Sequence, residues 1–155
     1  MKTAQIMTKD PVCCARSETA EVAASLMDEL NTGVIPIVEN EKSYKLVGVV
    51  TDRDLCMSVI AAGKNPKKVT LDQCMTENPV VCKLDDDVNQ VLQLMQRHQV
   101  HRVPVISQEQ DIEGIVSIAD IILKSDVPPG EITQTLKEIS EPMPQIVHRM
   151  QLIGQ

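Results

Sequence analysis

Two segments of the sequence place a hydroxyl residue three positions before an aspartate: Thr51-x-x-Asp54 and Ser117-x-x-Asp120. Each segment follows an apolar run and precedes a helical pattern, so we predict the hydroxyl at the N-cap and the acid in the first turn. This capping role requires no ligand. The free backbone N–H groups at such a helix start also favour a phosphate nearby. The two roles are compatible, and the spacing leaves both open.

These segments belong to an internal repeat. At one constant offset, Met7 falls on Met75 and residues 35–38 fall on residues 103–106, and after a shorter connection Gly48 falls on Gly114. A repeat of this kind indicates two homologous units. We assign residues 1–68 to the first unit, residues 69–125 to the second, and residues 126–155 to a C-terminal extension with a short helix predicted over 131–139.

Each unit shows the same order of secondary-structure signals. A short β-rich run leads to an amphipathic helical pattern, then to two apolar runs, and a second helix opens at Thr51 or Ser117. Strands that alternate with helices predict an α/β fold. Because one unit buries little surface, we expect the two β-α-β-β-α repeats to pack sheet against sheet with pseudo-two-fold symmetry. The predicted buried face of the first helix consists of Val22, Ala23, Leu26, Met27 and Leu30.

The composition disfavours several classes of function. A net charge of -7 and a single aromatic residue, Tyr44, argue against nucleic-acid binding. The N-terminus lacks an apolar signal core, and no apolar run reaches the roughly 18 residues that cross a bilayer, which predicts a cytoplasmic protein without membrane association. Five cysteines without CxxC spacing indicate mostly reduced core thiols. No nucleophile elbow, P-loop or HExxH motif is present, so we predict no catalytic activity.

The paired motifs resemble those of a tandem pair of CBS domains, a Bateman module. The resemblance rests on two Met-Thr-x-x-Pro-Val segments, two hydrophobic-Pro-hydrophobic strands and two Gly-h-h-Thr/Ser-x-x-Asp segments, and it covers residues 4–124. The chain is most similar to small stand-alone prokaryotic CBS-pair proteins. The resemblance implies a regulatory homodimer that binds AMP, ADP or ATP, or else NAD or S-adenosylmethionine, between its repeats and requires no cofactor. The protein that it would regulate is unknown.

The resemblance also implies which residues contact the ribose and the adenine. Asp54 and Asp120 would bind the ribose, because one carboxylate offers acceptor oxygens to both vicinal hydroxyls. Thr51 and Ser117 would add hydroxyl contacts. The adenine would lie between aliphatic side chains and be recognised by strand backbone of both units. The residues at these base-contacting positions are Cys14, Pro36, Cys82 and Pro104.

Cations for a phosphate are distributed unequally between the units. In relatives that bind nucleotides, a His-Arg pair at the positions of His101 and Arg102 faces the phosphate. The aligned residues of the first unit are Gly33 and Val34. Arg53 is a further candidate cation, and the second unit has an alanine at its aligned position. We therefore predict two chemically unequal clefts.

Two other classes of function remain open. A dimerisation or interaction module that binds no ligand also fits, since the first unit lacks the His-Arg pair. A metal-responsive sensor would need ligands such as His98, His101 and the cysteines, but no CxxC or compact His/Cys cluster supports a closed site, and we predict no metal site. A redox switch at Cys13 and Cys14 would need a lowered thiol pKa, which the sequence does not indicate.

Overall fold

Each unit folds into a strand, a helix, a β-hairpin and a second helix. The computed structural model describes residues 1–142, so residues 143–155 of the predicted extension lie outside the described residues. The first unit contains β1 (Thr8–Lys9), β2 (Cys14–Ala15), α1 (Ala20–Glu29), β3 (Val34–Asn40), β4 (Ser43–Thr51) and α2 (Asp52–Leu55), which continues as a π-helical turn (Cys56–Ile60). The second contains β5 (Thr76–Glu77), β6 (Cys82–Lys83), α3 (Val88–His98), β7 (Arg102–Ile106), β8 (Ile112–Ser117) and α4 (Ile118–Lys124), and α5 (Pro129–Ile139) follows. The predicted α/β class with two repeats is confirmed.

The two units exchange their first strands. One sheet has the order β1-β8-β7-β6 and the other β2-β3-β4-β5. Thr8 of β1 lies opposite Ile115 of β8, and Thr76 of β5 lies opposite Val49 of β4, both in antiparallel pairs. Each unit therefore completes the sheet of the other, in equivalent registers. This exchange gives the pair its pseudo-two-fold symmetry and makes the pair, not the single unit, the folded body.

Two glycines at equivalent positions allow the exchanged Met-Thr segments to lie close against the opposite sheets. A Cβ atom on Gly48 would lie 2.8 Å from both the sulfur of Met75 and the carbonyl oxygen of Thr76. A Cβ on Gly114 would lie 2.6 Å from the sulfur of Met7 and 2.8 Å from the neighbouring carbonyl. Only glycine permits this close approach, so each Met-Thr segment is matched to a glycine in the opposite sheet.

Each sheet has an apolar core that the other unit's segment completes. Val69 and Leu71, which precede β5, belong to the core of the first unit, and the Leu71 N–H donates a 2.8 Å hydrogen bond to the carbonyl of Glu18. Ile6, which precedes β1, belongs to the core of the second unit. The division of the sequence between residues 68 and 69 stays a prediction, and each core draws on both halves of the chain.

The buried face of α1 differs from the predicted one. Ala20, Ala23 and Met27 are buried, whereas Val22 and Leu30 are 38% and 43% exposed. The buried positions follow the spacing i, i+3 and i+7 of one helix face. The prediction was wrong for Val22 and Leu30 because it weighted residue size, while the helix turns its small alanines towards the sheet.

The extension packs on the second unit through α5. The side-chain amide of Gln96 in α3 donates a 2.6 Å hydrogen bond to the buried hydroxyl of Thr135, and Ile139 enters the core of the second unit. Gln99, which ends α3 in the left-handed conformation, donates its amide to the carbonyl of Glu138 at 3.2 Å. The start of the extension is thus anchored to α3.

Candidate functional site

A cleft of about 570 Å³ separates the two units, and both contribute to its walls. The first unit provides the residues around the start of α2, and the second provides the start of β7. Pro36 and Pro104, at equivalent positions of the two hairpins, both line the cleft. The exchanged segment at β5 adds Thr76 and the Asn78-Pro79-Val80 turn. A molecule in this cleft would therefore touch both repeats.

On the first-unit wall, Thr51 and Asp54 form a reciprocal cap. The Asp54 N–H donates to the Thr51 hydroxyl at 3.1 Å, and the Thr51 N–H donates to Oδ2 of Asp54 at 2.9 Å. The hydroxyl of Thr76 lies 3.5 Å from the same carboxylate oxygen. Thr51 and Thr76 line the cleft, and the half-buried Asp54 lies directly behind them without lining it. Within residues 1–142, Oδ1 of Asp54 accepts no hydrogen bond.

Three basic side chains line this cleft. His101 and Arg102 extend from the second unit, and Arg53 extends from the first. All three are exposed. Asp52 also lines the cleft, and its Oδ2 would lie 3.0 Å from a Cβ atom on Gly33. The structure therefore brings His101, Arg102 and Arg53 together with Thr51 and adds one carboxylate beside them.

The equivalent positions around Asp120 have a different chemistry. The Asp120 N–H donates to the Ser117 hydroxyl at 3.1 Å, and Oδ2 of Asp120 accepts from the Ser117 N–H at 2.9 Å and from its hydroxyl at 2.6 Å. Lys124 donates to Oδ1 at 2.7 Å. Burial disfavours the charged form of this carboxyl, but the hydrogen bonds from Lys124 and Ser117 outweigh it and hold the pKa of Asp120 below its usual value.

The predicted base-contacting residues divide into two groups. Pro36 and Pro104 line the cleft, as does Val80 of the exchanged segment. Cys14 and Cys82 do not: their side chains are 0% and 2% exposed and lie in the two cores. Any contact from Cys14 or Cys82 to a ligand would have to use the backbone.

Sequence reasoning did not single out four polar residues that line the cleft. Thr76 and Asn78 belong to the repeated Met-Thr-x-x-Pro-Val segment, so the repeat itself carried a usable signal. Asp52 directly precedes Arg53 and reaches the cleft only because α2 begins there. Gln99 lines the cleft from the left-handed end of α3. Nothing in the local sequence marked Gln99.

The surroundings of Cys13 and Cys14 bear on the thiol alternative. Burial raises the pKa of Cys13 to about 11, and burial together with the nearby Glu18 raises that of Cys14 to about 12, so both thiols are protonated at neutral pH. Over residues 1–142, no group of three His, Cys, Asp or Glu side chains could hold a metal ion.

Arg16, which lies near the cleft-forming strands, is already paired with Asp72 and Glu39.

In the described part of the chain, the helices are too short or too polar to cross a membrane.

Comparison with known proteins identifies the repeated units. The sequence pattern of the CBS domain matches residues 4–60 and 71–126. The chain is 38% identical to the uncharacterized protein YlbB of Bacillus subtilis over 140 residues, which is 90% of this chain and 92% of YlbB. It is 35% identical to Hypoxic response protein 1 of Mycobacterium tuberculosis over 144 residues, 92% of this chain and 97% of that protein.

Solved structures show the same architecture. The crystal structure of Hypoxic Response Protein I with two coordinated zinc ions superposes with a TM-score of 0.72 at 32% identity, covering 80% of this chain and 98% of the other. The CBS domain pair of protein MJ0100, in complex with 5′-methylthioadenosine and S-adenosyl-L-methionine, has a TM-score of 0.67 at 29% identity, covering 79% and 93% of the two chains.

Proposed function

Because this chain belongs to the CBS-domain family and carries two such domains in tandem, we propose that it is a regulatory, non-catalytic module that binds an adenosine compound between its repeats. AMP, ADP and ATP are the preferred candidates, and NAD and S-adenosylmethionine remain alternatives. One observation carries the proposal. Thr51 of one unit lines the same cleft as His101 and Arg102 of the other, and Asp54 is hydrogen-bonded to Thr51.

The chemistry of this cleft matches the parts of a nucleotide. Oδ1 of Asp54 accepts no hydrogen bond from residues 1–142 and would accept a ribose hydroxyl once Thr51 and Thr76 admit the sugar. Carboxylates form strong hydrogen bonds with such donors. His101 and Arg102 supply positive charge for a phosphate. The volume of about 570 Å³ lies within the roughly 300–1,000 Å³ of typical small-molecule sites. The related MJ0100 pair was solved with two ligands that both contain adenosine.

Aliphatic side chains would hold the adenine. Pro36, Pro104 and Val80 line the cleft, together with Val49 and Ile115, whose strands pair with the exchanged segments. The single aromatic side chain of the protein, Tyr44, is 72% exposed and does not line the cleft. Base selection would therefore depend on backbone hydrogen bonds.

A ligand that contacts both walls would stabilise the arrangement in which the walls are close. It can shift that equilibrium only by the difference between its affinities for the two arrangements. A partner protein would detect the shift. This mechanism requires no bond making or breaking.

Calorimetric titration of the metal-stripped protein tests the proposal. We expect saturable binding of at least one of AMP, ADP, ATP, NAD and S-adenosylmethionine, and no binding of GMP. Asp54→Asn should weaken that binding, whereas Asp28→Asn, which changes an exposed aspartate of α1, should not. Absence of binding by every adenosine compound would reject the proposal.

We further propose that the module forms a homodimer through the helices that follow the two cleft motifs. Met57 and Leu123 occupy equivalent positions in the two units and are 58% and 79% exposed. Exposed apolar side chains of this size are typical of interaction surfaces when they cluster. We expect light scattering to show a dimer, and Met57→Glu with Leu123→Glu to yield a monomer. A dimer that binds no adenosine compound would favour the ligand-independent interaction module instead.

A related structure holds two zinc ions, so the metal-responsive sensor stays the less favoured alternative function.

A further inference from the structure

In the second unit, Lys124 contacts the carboxylate that aligns with Asp54. Its ammonium donates to Oδ1 of Asp120 at 2.7 Å and to the carbonyl oxygen of Ile6 at 3.0 Å. The other carboxylate oxygen, Oδ2, accepts the N–H and the hydroxyl of Ser117. Both oxygens of Asp120 therefore have partners within the chain.

The first unit has no such lysine. The residue that aligns with Lys124 is Ser58, which is too short to reach Asp54 as a cation. Asp54 keeps Oδ1 without a hydrogen-bond partner from residues 1–142. The two aspartates are thus alike in sequence and in backbone position but differ in their capacity to accept a ligand.

The ion pair is held in place and partly shielded. The Asp120 side chain is 15% exposed and that of Lys124 is 45% exposed. The second contact of Lys124, to Ile6, ties it to the exchanged segment that crosses from the first unit. An ammonium with two fixed acceptors is harder to displace than one in a surface ion pair.

The aligned positions also differ in charge. The residues that align with His101 and Arg102 are Gly33 and Val34. Ala119 stands at the position of Arg53. The repeat therefore supplies no counterpart of these three cations for a phosphate near Asp120, and Lys124 is already paired.

We propose that this chain binds its adenosine compound at the Asp54 cleft only, and that Lys124 closes the equivalent Asp120 position by acting as an internal substitute for the ribose donors. The inference rests on the proposed function, since it assigns that function to one of two related positions. It predicts one ligand per chain. It also predicts that removal of the Lys124 cation exposes a site with a ribose acceptor but no phosphate cations, which would accept adenosine better than AMP.

Calorimetric stoichiometry tests the inference on the full chain. Wild type should bind one AMP per chain, and Asp54→Asn should lose that binding. In the Asp54→Asn background, Lys124→Ser introduces the residue of the first unit, and Lys124→Gln keeps a donor for the Ile6 carbonyl without the charge. Each should gain one adenosine per chain. Lys124→Arg, which keeps the cation, and Lys68→Ser, which removes an exposed lysine outside the cleft, should gain none.

The outcomes separate this inference from the proposed function. Two AMP molecules per wild-type chain would overturn the inference and leave the proposed function intact. One AMP in wild type, with no adenosine gained by either folded Lys124 variant, would overturn the role of Lys124. Adenosine gained by the Lys124 variants alone, with no ligand bound by wild type, would support the inference about Asp120 and reject the proposed function of the Asp54 cleft. Binding by none of these proteins would overturn both.

Discussion

The two units share a backbone plan but differ in the side chains at equivalent positions. The cleft beside the Thr51–Asp54 cap is lined by three basic residues, and Oδ1 of Asp54 accepts no hydrogen bond from residues 1–142. Both oxygens of Asp120 are engaged, and the residues that align with the three basic residues are uncharged. The features that match are those that hold the sheets together, such as Gly48 with Met75 and Gly114 with Met7. Duplication has kept the architecture symmetric, whereas the side chains around the two caps differ.

The largest expected effect is the contrast between Asp54→Asn and Asp120→Asn in AMP binding. Hydrogen bonds to a charged group contribute about 1.5–3 kcal/mol each. Loss of the Asp54 carboxylate should therefore lower the affinity for AMP by roughly 100-fold. Asp120→Asn should change the affinity by less than about twofold, because Lys124 already occupies that carboxylate. Calorimetry of the two variants provides the comparison. Equal losses in both would show that the clefts bind independently and alike.

The next effect concerns the symmetric part of the structure. Gly48→Ala and Gly114→Ala should each destabilise the fold by about 1–3 kcal/mol, because the new methyl group would overlap a methionine sulfur and a backbone carbonyl. Urea unfolding measures this change. Gly130→Ala is the matched control, since no atom lies within 4 Å of its added Cβ and it lies in a helix. A loss in one of the two glycine variants only would show that the strand exchange is not equally tight in the two sheets.

A smaller effect is expected for the phosphate. Arg102→Gln should lower the affinity for AMP by about tenfold, or roughly 1.4 kcal/mol, and leave the affinity for adenosine nearly unchanged. The reason is that only the nucleotide carries the negative charge that Arg102 would contact. Arg97→Gln, an exposed change on α3, serves as the control. If the affinities for AMP and adenosine fell together, Arg102 would have to act through the shape of the cleft instead of through its charge.

Much of the fold and part of the cleft could be predicted because the repeat supplied each signal twice. The two Met-Thr segments, hairpin prolines and Thr/Ser-x-x-Asp caps were all visible in this way. The strand exchange could not be predicted from the sequence, because the pairing of β1 with β8 joins residues more than a hundred positions apart and leaves no local pattern. The Lys124 contact could have been noticed from its i,i+4 spacing to Asp120, a common ion-pair distance on helices.

Other features depended on packing alone. The exposure of Val22 and Leu30 follows from the rotation of α1, which hydrophobicity does not determine when alanines can occupy the buried side. Cys14 and Cys82 are buried in β2 and β6, which are only two residues long, and both residues of β2 are buried whereas only Cys82 is buried in β6. Patterns this short do not show which side chain faces the cleft.

The smallest expected effect is a pH dependence specific to the second unit. The pKa of Asp120 is lowered in the folded state, so its contribution to stability is fully present above the unfolded-state value of about 3.9 and is lost as the pH falls through the lower folded-state value. Wild type should therefore exceed Asp120→Asn in unfolding free energy at pH 7, and the difference should shrink below about pH 4. Urea unfolding at pH 7 and pH 3 measures it. A difference that stayed constant would mean that the Ser117 and Lys124 hydrogen bonds do not favour the ionised form, and the internal ion pair would then be too weak to exclude a ribose from Asp120.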